Sequence, residues 1–168
     1  ATNTGGASDN SNTITATTAF TAPTISSATN VTASSFQANW GSVDGATGYR
    51  LDVSTEYNFT SFVGVYNDLD VGNVTYREVT GLSAATRYYY RVRAYNTVTT
   101  SANSSYFSQY TCPSAPTALS ATSLTTTSFQ ANWGAVGGAT GYQLDVSTEN
   151  DFATLVSGYN NVYTAALY

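Results

Sequence analysis

The stretch Leu82-Ser83-Ala84-Ala85-Thr86-Arg87-Tyr88-Tyr89-Tyr90-Arg91-Val92-Arg93-Ala94, continued by Tyr95, decides how the rest of the chain is read. An extended strand sends successive side chains to opposite faces. A strand over 86–95 therefore turns Tyr88, Tyr90, Val92 and Ala94 to one side, and Tyr89, Arg91, Arg93 and Tyr95 to the other. The first set is predicted to be core and the second an outer face, because a one-residue slip would bury both arginines.

Working outward, the same period of two governs 48–54, with Tyr49, Leu51 and Val53 inward and Arg50 and Asp52 outward. Further strands are predicted at 26–32, 35–40, 66–71, 76–79 and 106–110, separated by clusters of Gly, Asn, Asp and Ser. No segment carries a helical stripe. Seven short strands with alternating faces predict an all-β architecture of two packed sheets, a seven-stranded β-sandwich.

The pattern recurs. SFQANW stands at 35–40 and again at 128–133, an offset of 93 residues. GATGY (45–49) returns at 138–142, followed by LDVST in both copies, and Ala22-Pro23-Thr24 returns as Ala115-Pro116-Thr117. Carried backward, the same offset lays Ala1 over Ala94, Asn3 over Asn96 and Ser8 over Ser101. The chain is thus expected to hold the C-terminal strand of a preceding repeat (1–21), a complete repeat (22–113) and the N-terminal part of the next (114–168). The flanks contain no counterpart of 76–93, so a segment of a longer polypeptide is expected.

These residues resemble the fibronectin type III family, an immunoglobulin-like sandwich. Leu82, Thr86, Tyr88 and the Arg91-Val92-Arg93-Ala94 strand fall at the spacing of that family's corner between its fifth and sixth strands. Ala84 stands where the family usually has proline. The resemblance implies that Trp40 belongs to the second strand, Tyr49 opens the third, and Trp40, Tyr49, Leu82, Tyr88, Tyr90 and Val92 share one core. Trp133 and Tyr142 are expected to do the same in the next repeat. It also implies that 48–54 and 86–95 are neighbours, placing Asp52 beside Arg91 and Arg93; an exposed pair of that kind contributes about 0–1 kcal/mol. The wording of the motifs is similar to tandem fibronectin type III repeats of bacterial secreted and cell-surface proteins.

Composition removes several classes of function. The chain has ten acidic and five basic residues, for a net charge of −5, leaving no basic stripe for nucleic acid. No apolar run approaches the roughly 20 residues of a membrane helix. With no histidine and one cysteine there is no triad of the usual kind and no zinc cluster, so no catalytic centre, metal or cofactor is expected. Asp68-Leu69-Asp70-Val71-Gly72-Asn73 has the oxygen-rich look of a calcium loop but places Gly72 at the fifth position, and a turn with local Asp and Asn bonds is the stronger reading. Cys112 reads as a small buried or linker residue, with pairing between chains as the alternative. Asn30, Asn58, Asn73 and Asn103 open N-x-[ST] sequons that arise by chance in a Thr-rich chain.

The expected function is a non-catalytic extracellular structural or adhesive repeat protein, forming or decorating a cell-surface fibre. Its partners would be other copies of the same protein, and surface polysaccharide or protein. The alternative is a spacer or carbohydrate-contacting module of a larger secreted hydrolase. The candidate packing face is Arg50, Asp52, Tyr89, Arg91, Arg93 and Tyr95.

Overall fold

The computed structural model describes residues 1–12 and 20–166, which contain strands and turns and no helix. The strands are β1 (Thr2–Asn3), β2 (Gly6–Ala7), β3 (Ile25–Thr29), β4 (Ser35–Trp40), β5 (Gly48–Ser54), β6 (Leu69–Gly72), β7 (Tyr76–Thr80), β8 (Arg87–Tyr95), β9 (Phe107–Tyr110), β10 (Ala118–Thr122), β11 (Gln130–Trp133), β12 (Tyr142–Leu144) and β13 (Val162–Thr164). All pairings between them are antiparallel.

The central unit has a three-stranded sheet, β3-β4-β7, and a four-stranded sheet, β6-β5-β8-β9. One apolar cluster lies between them. Phe36, Ala38, Trp40 and Val79 come from the first sheet, and Tyr49, Leu51, Val53, Tyr88, Tyr90, Val92 and Ala94 from the second. Phe36 packs against Tyr90 at 5.7 Å between ring centroids, and Trp40 against Tyr49 at 5.9 Å. Leu82 is buried at the end of this cluster.

Buried phenols need partners, and here they supply the ones that strand ends and turns lack. Tyr88 fills the core with its ring while its hydroxyl accepts the Ser83 N–H at 2.9 Å. The Tyr49 hydroxyl accepts from Val43 N–H at 2.8 Å, and that of Tyr66 from Thr80 N–H at 2.8 Å. Beyond Phe107 the β8 ladder continues on serine side chains. Ser104 Oγ accepts from Val92 N–H and Ser101 Oγ from Ala94 N–H, each at 2.9 Å.

Several expectations are corrected. The strand predicted at 26–32 runs Ile25–Thr29 and stops where Asn30 takes a left-handed φ of 50°. The one predicted at 66–71 runs Leu69–Gly72, because Tyr66 lies in a turn with its ring buried. Trp133 and Tyr142, expected in a core, are only half-buried: nothing among the described residues stands where β7 and β8 would cover them. Residues 1–8, expected within the C-terminal strand of a preceding repeat (1–21), form a short exposed hairpin, β1-β2, and 13–19 of that expected strand lie outside the described residues. Cys112 is exposed and not buried, its thiol 3.5 Å from the Val31 carbonyl at the end of the unit.

Candidate functional site: the outer face of the four-stranded sheet

The register of β5 on β8 sets Gly48 opposite Tyr95, Arg50 opposite Arg93, Asp52 opposite Arg91 and Ser54 opposite Tyr89. Alternation then carries Arg50, Asp52, Tyr89, Arg91, Arg93 and Tyr95 to the outer side of the sheet. Arg50 and Arg93 face each other directly, and like charges at that spacing repel. Asp68, just before β6, resolves the conflict: its carboxylate takes Arg50 Nη1 at 3.0 Å and also pairs with Arg93.

Asp52 departs from the expectation of an exposed pair. It points to the outer face, yet its side chain is only 2% exposed. Arg91 Nε donates to Oδ2 at 2.9 Å, the Asp68 N–H donates to Oδ1 at 2.7 Å, and Arg93 approaches to 3.7 Å. The Arg91 guanidinium in turn lies 4.1 Å from the centroid of Phe59. The 55–66 loop supplies that ring, and its contribution is invisible to strand alternation. A buried carboxylate with a full set of donors is costly to strip of any one of them.

Tyr95 at one end and a cluster of three tyrosines at the other flank this core of charge. Tyr95 lies over Gly48, where a Cβ would stand 2.5 Å from the phenol oxygen and force the ring to move. The Tyr95 hydroxyl donates to Asp70 Oδ2 at 2.7 Å, with Arg50 5.1 Å from the ring centroid. That hydrogen bond, then one from Gly72 N–H, holds the Asp70 carboxyl below the usual carboxylate range, and the same bond pushes the Tyr95 phenol up. At the other end Arg87 sits between Tyr89 and Tyr110, at 5.2 and 5.6 Å, while Tyr106 meets Tyr89 edge-on at 5.4 Å.

The oxygen-rich stretch 68–73 is therefore committed elsewhere. Asp68 serves the arginines, and Asp70 serves Tyr95 and the Gly72 amide. Chemically the face is a self-neutralised plate: Arg50, Arg91 and Arg93 each have a carboxylate partner, and none of its groups is arranged as a nucleophile with a base. What it offers outward is tyrosine surface at Tyr106 and Tyr110. Sequence reading assigns none of Phe59, Tyr66, Arg87, Tyr106 and Tyr110 to this site and reads Asp68 only as part of a turn. For two of them a signal existed, since Phe59 and Tyr66 return at the 93-residue offset as Phe152 and Tyr159.

Two facing antiparallel sheets closed by a corner tyrosine define an immunoglobulin-like β-sandwich module. The family model described as "Fibronectin type III domain" matches residues 21–109, just over half the chain, and the chain belongs to that family. Among solved structures it is similar to the fibronectin type-III domain of human fibronectin type III domain containing protein 3, at 24% identity and a TM-score of 0.48, covering 60% of this chain and 93% of that one. The sixth such domain of the same human protein shows 25% identity and a TM-score of 0.44, covering 63% and 95%. A β-1,2-glucanase from Parabacteroides distasonis shows 19% identity and a TM-score of 0.47, covering 60% of this chain and 14% of the enzyme. A search of curated proteins found no significant match.

Proposed function

We propose that this chain is a run of tandem fibronectin type III repeats serving as a non-catalytic, extracellular structural rod, part of a bacterial cell-surface fibre whose partners are other copies of the protein. The observation that carries the reading is the recurrence of geometry at the 93-residue offset. Trp133 meets Tyr142 at 5.7 Å and 54°, as Trp40 meets Tyr49 at 5.9 Å and 52°. The Tyr142 hydroxyl accepts from Val136 N–H as that of Tyr49 does from Val43. Asn132 Nδ2 donates to the Ser120 carbonyl at 2.9 Å, as Asn39 does to Ser27. The tail repeats it too: Ser8 N–H donates to the Ala1 carbonyl at 2.8 Å, as Ser101 does to Ala94.

Close end-to-end contact supports a rod over beads on a flexible string. Gly138 sits in the 136–139 turn before β12 with φ 77°, and a Cβ there would fall 2.5 Å from that of Ala85 at the corner of the preceding unit. Fibronectin type III domains are typically non-catalytic modules and commonly extracellular, and among the described residues no helix is long and apolar enough to cross a membrane. Electron microscopy of the native material tests the reading. Filaments with an axial repeat are the expected result; isolated flexible monomers would put the spacer of a larger hydrolase ahead.

A further inference from the structure

We propose that Arg87, Tyr89, Ser108 and the exposed Tyr106 and Tyr110 form a binding site for an acidic polysaccharide, one whose pyranose rings carry carboxylates. The register of β9 on β8 sets Tyr110 opposite Arg87 and Ser108 opposite Tyr89. Alternation brings these four to the outer side of the sheet. Tyr106, one residue before β9, joins them there through its edge contact with Tyr89. Tyr106 and Tyr110 are 50% and 59% exposed. Four residues apart, they are separated by about 13 Å at the rise of a strand, a span that fits an oligosaccharide better than a single sugar.

Two observations point to a ligand, and the first is charge. The ion pairs among the described residues take up Arg50, Arg91 and Arg93 and leave out Arg87. Its guanidinium is flanked instead by the rings of Tyr89 and Tyr110, and Nη2 donates to Ser108 Oγ at 3.0 Å. A positioned, exposed guanidinium with donors to spare suits a carboxylate, which can take two parallel hydrogen bonds from it. The second observation lies in the repeat. The 93-residue offset lays Tyr106, Phe107 and Tyr110 over Thr13, Ile14 and Thr17 in the sequence. The inward position stays apolar, whereas both outward tyrosines give way to threonine, which suits a strand equally. The sandwich therefore does not call for rings at 106 and 110. Rings with hydroxyl tips beside one guanidinium match a ligand that alternates C–H faces with hydroxyls and carries carboxylates; an acidic peptide brings the charge without those faces. The net charge of −5 does not oppose the contact strongly, because exposed charges beyond about 8 Å are largely screened at physiological salt.

The test titrates the full chain with oligogalacturonate and with oligomannuronate and follows backbone and tyrosine-ring NMR shifts. Saturable shifts confined to 87–89 and 106–110 are expected with at least one of the two. Replacing Tyr106→Thr together with Tyr110→Thr should weaken binding at least about tenfold while the urea midpoint stays close to that of the native chain. Arg87→Gln, a milder change, should weaken binding about tenfold as well, as should methyl esterification of the oligosaccharide. Three results would overturn the proposal. One is the absence of shifts at those residues with both acids; the second is undiminished binding by the doubly substituted chain. The third is binding of polyglutamate as tight as that of the sugar, which would make the site a contact for acidic peptides. None of them touches the rod reading, which microscopy of the native filament tests independently.

Discussion

The hydroxyl of Tyr90, carried by β8, crosses the core and donates to the carbonyl of Ser26 on the opposite sheet, while accepting the Asn39 N–H at 3.5 Å. One side chain thereby ties β3 and β4 to the four-stranded sheet, and burial pushes its phenol up from the usual 10 to about 12.

This gives stability a dependence on alkaline pH. The unfolded chain releases the Tyr90 proton near 10 and the folded chain near 12, so between these values the unfolded state holds fewer protons. The contribution is complete below pH 10 and is lost as pH rises toward 12. Urea midpoints measured across that window should fall more steeply for the native chain than for Tyr90→Phe. Parallel curves would assign the loss to other tyrosines.

Tyr88 and Tyr89 are adjacent yet should respond differently. Tyr88→Phe leaves the Ser83 N–H without its partner and should cost about 1–3 kcal/mol. Tyr88→Ala also opens a cavity, for about 3–5 kcal/mol. Tyr89→Ala removes an edge contact with Tyr106 and the stack with Arg87, for about 1 kcal/mol. Comparable losses at Tyr88→Ala and Tyr89→Ala in chemical denaturation would contradict the assignment of faces.

Burial separates Asp52 from the other charges of its face. Asp52→Ala strands Arg91 and the Asp68 amide and should cost about 3–5 kcal/mol. Arg50→Ala, at a more exposed pair, should cost about 0–1 kcal/mol. Raising salt to about 1 M should erase the Arg50 effect and leave most of that of Asp52. A salt-sensitive Asp52 would mean that water reaches the carboxylate.

Gly48→Ala tests the tyrosine that lies over it. The new methyl meets the Tyr95 ring, so the hydrogen bond to Asp70 should break and the Asp70 carboxyl should rise toward 3.8. Because the folded group is held below its unfolded value, its stabilisation is present above that value and lost as pH falls through the folded one. The variant should lack this contribution at neutral pH. Carboxylate titration by NMR reads it directly, and an unmoved Asp70 would show that Tyr95 is not what holds it.

The alternation at Tyr88-Tyr89-Tyr90-Arg91-Val92 made the inner and outer faces of β8 legible, and the Leu82-to-Tyr88 spacing marked the corner whose hydroxyl closes on Ser83. Alternation assigns a face and is silent on what lies over it. Asp52 was therefore read as exposed, although the Asp68 amide and Arg91, with Phe59 beneath it, close over it. Trp133 and Tyr142 illustrate the other limit. Their local hydrogen bonds follow from nearby sequence and form as in the central unit, whereas their burial depends on strands distant in the chain.

Separate expression of 22–113 and 114–168 tests most directly the claim that a sandwich repeats every 93 residues. The first fragment holds both sheets and should unfold in urea in one cooperative transition. The second holds two hairpins with unpaired edges and should show none. A stable, cooperatively unfolding monomer of 114–168 would contradict the account, because that segment would then be a domain in its own right and the period would not mark a repeating unit.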